Sequence, residues 1–170
     1  MKNITAIFLS ALILCSAPVI GACNSSGPEI PDIDIEADFI TVGFEDHSTI
    51  ELTKGSLEFE EINDEAIRIY QNICDIMEEL VGPDYIEVIK YNNKFVEIEL
   101  IEPVSVTTYT DEGEVYRILE LTSAIFVFTG EYAGYPLHKG LTTPEWPEWG
   151  VYGSRRSFGN LENMVDALLS

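Results

Sequence analysis

Basic residues are scarce in this chain: nine Lys and Arg stand against 30 Asp and Glu, a formal charge of −21 over 170 residues. A field of that sign repels nucleic-acid phosphates and anionic lipid headgroups, so DNA or RNA binding is not expected. Histidine is almost missing, at His47 and His138 only. His47 follows Glu45 and Asp46 in a turn-like stretch, with no second histidine at a ligand spacing, and a solvated turn is the simpler reading. His138 stands beside Lys139 and could serve as a general base, but no marked nucleophile accompanies it. No serine lies in a G-x-S-x-G setting, and no glycine-rich phosphate loop leads into a helix. Cysteine is limited to Cys15, Cys23 and Cys74, too few for a disulfide framework. No cofactor and no metal is expected, and binding is expected rather than catalysis.

Charge is also absent from the start of the chain, where Lys2 is the only charged residue before Glu29. From Ile4 to Val19 the run is apolar apart from Thr5, Ser10, Ser16 and Pro18. It has no polar face for a core helix, and it is short of the roughly 20 apolar residues of a membrane span. A basic start, an apolar middle and small residues at the end describe a secretory signal. Ile20-Gly21-Ala22-Cys23 resembles the lipobox of bacterial lipoproteins, an aliphatic residue and two small ones before the cysteine that is lipidated. The aliphatic residue here is Ile20 rather than the commoner Leu. Cys15 is no rival, since bulky Leu14 precedes it. The resemblance implies cleavage after Ala22, acylation (palmitate among the chains) of Cys23, and attachment to the cell envelope through several acyl chains. Because Asn24 rather than Asp follows the cysteine, it implies the outer membrane in a Gram-negative cell.

On that reading residues 1–22 are removed, residues 23–38 are the lipidated cysteine with an acidic tether, and residues 39–170 are one domain. All 30 acids and all the basic residues but Lys2 follow Cys23, so eight cations face 30 anions, a charge of −22. Cys74 is left as a lone thiol, most simply a small buried apolar residue. In the tether Asp32, Asp34, Glu36 and Asp38 alternate like the opening of a calcium loop. Ala37 stands where the sharp turn wants Gly, and Gly43 where the bidentate Glu belongs, so an extended acidic segment is the better reading.

Alternating apolar residues predict strands at 39–44 and 49–53 around a turn at 45–48. Apolar residues at helical spacing from Ile62 to Leu80 predict one long helix over 62–81, capped by Asn63 or Asp64 and stopped by Gly82-Pro83. A meander follows, with strands at 85–91, 95–101, 104–110 and 115–129 and a hairpin turn at Asn92-Asn93-Lys94. A short helix, 160–168, capped by Asn160, closes the chain. The expected fold is α+β, an antiparallel sheet packed against the long helix.

Residues 130–158 read as an aromatic-rich loop, punctuated by glycine and proline. In TTPEWPEWG two rings, Trp146 and Trp149, stand three residues apart, which in a polyproline-like conformation puts both on one side. Tyr152 and the paired cations Arg155 and Arg156 follow closely. Tryptophan and arginine dominate protein interfaces, so Trp146, Trp149, Tyr152, Arg155 and Arg156 are the candidate binding residues. The competing reading folds the rings down as lids over the sheet while the arginines pair with the acidic body. The expected function is a membrane-anchored binding module that holds or inhibits a basic protein, as immunity lipoproteins do. The alternative is a glycan-binding or glycan-cleaving protein using Trp146, Trp149 and the carboxylates Glu145 and Glu148.

Overall fold

A computed structural model describes residues 37–109, 115–140 and 149–169, with backbone only at 74–79, 106–109 and 115–119. The signal, Cys23, the tether ahead of Ala37, Trp146, Glu145 and Glu148 lie outside the described residues. The fold is α+β, a seven-stranded sheet with every neighbouring pair antiparallel, and three helices among the described residues.

Strands β1 (Ala37–Gly43) and β2 (Thr49–Leu52) form a hairpin at one edge of the sheet. Helix α1 (Leu57–Tyr70) then leads to β3 (Ile73–Val81) at the opposite edge, and α2 (Pro83–Asn92) returns the chain to β4 (Phe95–Tyr109). β5 (Val115–Val127), β6 (Pro136–Gly140) and β7 (Trp149–Ser154) complete the sheet in the order β2-β1-β4-β5-β6-β7-β3, and α3 (Gly159–Ala167) follows them. The β4–β5 register slips between Glu99 and Val104, an irregularity that holds Pro103, which cannot donate to a ladder.

Three elements differ from the sequence expectation. The helix expected at 62–81 is 14 residues long and starts and stops earlier. Ser56 caps it, its Oγ accepting from the Phe59 amide at 3.2 Å. Asn72 ends it, its side-chain amide donating to the Arg68 carbonyl at 2.7 Å. Residues 73–81 are an edge strand, and Ile73 is buried on it all the same. Second, residues expected as a strand at 85–91 are α2. Gly82-Pro83, read as a stop, is a start: Pro at the first helical position needs no amide partner there. Third, the expected loop over 130–158 contains two strands, β6 and β7, both hydrogen-bonded into the sheet. The closing helix is present, but it starts at Gly159 with no side-chain cap from Asn160.

Alternation along the strands divides the core in two. On one face Ile98, Ala124, Phe126 and Tyr152 pack against α1 (Phe59, Ile62, Ile69) and α3 (Leu161, Val165). On the other face Phe95, Ile125, Val127, Leu137, Trp149 and Val151 pack against Ile86 and Ile89 of α2. Each fully buried side chain of this size contributes about 1.5–3 kcal/mol. Gly43 allows one close approach, since a Cβ there would run into the Phe95 ring opposite it.

Candidate functional site

The residues singled out between 149 and 156 are placed by β7 and by the turn after it. Trp149 pairs in register with Lys139 and Val81, and its ring is buried in the α2-side core. Tyr152 faces the other way, into the α1-side core, with its ring against Gly150, where a Cβ would sit 2.7 Å from it. Neither ring stands on the surface as a contact platform. The Arg155 amide donates to the Asn72 carbonyl at 2.9 Å, tying the turn to the end of α1. Arg156 reaches Glu65 on α1 with both arms of its guanidinium, at 2.8 and 2.8 Å. Glu65 is 1% exposed, and Arg68 adds a longer contact at 3.4 Å. Such a two-pronged pair offsets the cost of burying the carboxylate and positions α1 over β7. The Glu65 carboxylate in turn holds the Arg156 pKa above its ordinary value.

His138, the candidate general base, is 1% exposed on β6. Its ring sits 4.8 Å from that of Tyr70 and 4.9 Å from that of Tyr152. Neither of its nitrogens has a hydrogen-bond partner among the described residues, nor does the Tyr70 hydroxyl. Burial pushes the His138 pKa down to about 3 and the Tyr70 pKa up. The imidazole is thus held neutral and enclosed between two tyrosine rings, away from the surface.

Two clefts formed by the described residues open to the surface and bear on the site. The first, of about 510 Å³, lies between the β1–β2 turn and α2. Phe44, Val88 and Phe95 line it, with His47 and Tyr91 at its rim. His47 adopts a φ of 68°, unusual for a non-glycine residue; its ring stacks on Tyr91 with centroids 4.1 Å apart, and Nδ1 lies 2.8 Å from the Tyr91 carbonyl. Beside it Asp46 bonds the hydroxyl and amide of Ser48, which lower its pKa. Lys90, also on this cleft, pairs with Glu97 at 2.8 Å and Glu87 at 3.5 Å. Burial works against its charge, but Glu97 and then Glu87 outweigh that and raise its pKa.

The second cleft is larger, about 750 Å³, and lies between α1, α3 and the edge strand β2. Ile50, Leu52 and Ile62 form its floor. A helix beginning at 62 and a strand at 85 leave no room for either cleft, because α1 from residue 57 walls one and α2 walls the other. The signal for the earlier start is Gly55-Ser56 ahead of Leu57, a turn residue and a cap.

Among the described residues no group of three His, Cys, Asp or Glu could hold a metal ion, and no helix is long and apolar enough to cross a membrane. No protein-family model matches the chain, nor does any curated protein or solved structure.

Proposed function

We propose that this chain is a lipid-anchored protein of the bacterial envelope, held through Cys23, and that it binds a basic protein partner as an immunity or inhibitor lipoprotein does. The disposition of charge carries the reading. The chain after Cys23 has 30 acids and eight cations. Several of those cations are engaged within the fold: Lys90 with Glu97, Lys94 with Glu162 and Asp166, Arg156 and Arg68 with Glu65. These cations hold elements together, while acids such as Glu45, Glu51, Glu60, Glu99 and Glu102 are exposed. Such a surface steers cationic proteins and repels anionic ones.

The sugar-platform alternative needs two exposed rings, and Trp149 is in the core. Of the candidate binding residues, Arg156 acts by positioning α1, and Trp149 and Tyr152 act by packing.

Membrane fractionation tests the anchor. The native chain is expected in the membrane pellet, and Cys23→Ser in the soluble fraction; retention of the variant in the pellet would refute acylation. The partner's sign is tested by retention of basic proteins on the detergent-solubilised chain. Binding should weaken sharply between 0.1 M and 1 M salt, as the screening length falls from about 10 Å to about 3 Å. Salt-insensitive retention, or retention of acidic proteins, would refute it.

A further inference from the structure

Helices α1 and α3 leave a furrow between them whose walls differ in chemistry. On the α1 wall, Leu57, Glu58 and Glu61 lie within one turn of one another on a single helix face. Leu57 is 69% exposed, an apolar side chain left in water at the mouth of an apolar cleft. Glu58 and Glu61 are exposed and make no ion pair among the described residues. On the opposite wall Asn160, Asn163, Met164 and Ala167 fall at successive helical spacings, so α3 turns one continuous face to the furrow. The acids of α3, Glu162 and Asp166, are off that face, and both pair with Lys94, at 2.7 and 2.9 Å. Those two carboxylates keep Lys94 charged: burial works against its ammonium, but they outweigh that and raise its pKa.

The apolar floor and the acids at its edge together describe an occupant by chemistry. The acids on the far side of α3 share Lys94. The acids on the furrow wall are left open beside an apolar floor. We propose that this furrow is the docking site for an amphipathic helix of the basic partner, a proposal that rests on the basic-partner reading above. The guest helix lays an apolar stripe on Ile50, Leu52 and Ile62 and against Leu57, and presents Lys or Arg at its flank to Glu58 and Glu61. Two helix walls make a groove into which the ridges of a third can pack, the helix-in-groove mode of recognition. Asn160 and Asn163 supply side-chain amides on the uncharged wall for polar groups at the other flank.

The test uses the full chain in detergent and a fluorescent 18-residue Leu/Lys peptide with a helical apolar stripe, read by anisotropy. Three comparison peptides are a scrambled one of the same composition, a striped one with Gln for Lys, and a striped one with Glu for Lys. Leu57→Asp and the pair Glu58→Lys with Glu61→Lys are exposed changes, and each is checked for an unchanged melting transition. Each should weaken the striped basic peptide at least tenfold. The same charge change at the exposed acids Glu102 and Glu120 should alter it less than twofold. Equal losses at the two acidic pairs, or scrambled and striped peptides bound alike, would overturn the furrow and leave the acidic field as the whole cause. Tight binding of the Gln or Glu peptide through Leu57 would overturn the basic partner while keeping the groove. A native chain that binds none of the peptides overturns the proposal outright.

Discussion

The two faces of the sheet solve the same packing problem with different materials. The α2 face is closed with apolar groups, Trp149, Leu137, Ile125 and Phe95 against Ile86 and Ile89. The α1 and α3 face encloses polar groups as well: the Glu65 carboxylate, the His138 imidazole and the Tyr70 hydroxyl. A buried polar group must be paired or it costs free energy. Glu65 is paired by Arg156, while His138 and Tyr70 have no hydrogen-bond partner among the described residues. The difference teaches that the α1 and α3 face holds a buried histidine that acid must protonate, whereas on the α2 side Lys90, paired with Glu97, stays charged in mild acid. It is also the histidine-bearing face that carries the open furrow.

Breaking the apolar face should have the largest effect. Trp149→Ala empties a large site in the α2-side core and should cost about 4 kcal/mol in chemical denaturation. A loss below about 1 kcal/mol would show that the ring is a surface platform after all. On the other face, Arg156→Ala strands a buried carboxylate and should cost about 3 kcal/mol, with Lys94→Ala, whose partners are exposed, costing well under half of that. Equal costs would mean that Glu65 is not enclosed.

Acid separates the faces more finely. His138 has a folded pKa of about 3 against an ordinary 6.5, so the unfolded chain takes up the proton first. Its contribution is therefore intact above about pH 6.5 and is lost as pH falls toward 3, by up to about 1.4 kcal/mol per unit. Between pH 6.5 and 5, ahead of most carboxylate protonation, the native chain should lose about 2 kcal/mol, and His138→Leu should remove that slope. Trp149→Ala should leave it in place. A slope unchanged by His138→Leu would place the acid sensitivity elsewhere. A modest effect is expected at Gly43→Ala, where the added methyl must displace the Phe95 ring, about 1–2 kcal/mol. A neutral result would mean that the β1–β4 edge yields easily.

Much of this architecture is written in the sequence, but in a form that fixes burial more firmly than element type. Ile69 and Ile73 are both inside, as their apolar stripe implies, yet one is helical and the other is in a strand, because a spacing of four suits either. The deciding local cues are Ser56 as a cap and Asn72 as a terminator, and both act through short-range hydrogen bonds rather than patterns. Gly82-Pro83 can close one helix or open the next, and only the burial of Ile86 and Ile89 three residues apart distinguishes the two. β6 and β7 hide among glycines and prolines, and β7 pairs with β3, an edge strand remote in sequence. The alternation of 95–101 and the apolar run before Phe128 are legible as strands, since one face or both are covered. The furrow is not. Its acidic wall lies ahead of the helix start that the apolar stripe implies, and its other wall needs α3 to pack beside α1. Trp149, Tyr152 and Arg156 stand out by composition, and composition cannot tell a ring that meets a partner from one that meets its own core.

The claim that the acidic furrow is the partner's seat is tested most directly by hydrogen exchange of the full chain with and without the striped Leu/Lys peptide. Slowed exchange confined to α1 from residue 57, to β2 and to α3 is the predicted result, with α2 at 83–92 unchanged. Protection of α2 around the His47–Tyr91 stack, or a uniform change over the whole acidic surface, would contradict it.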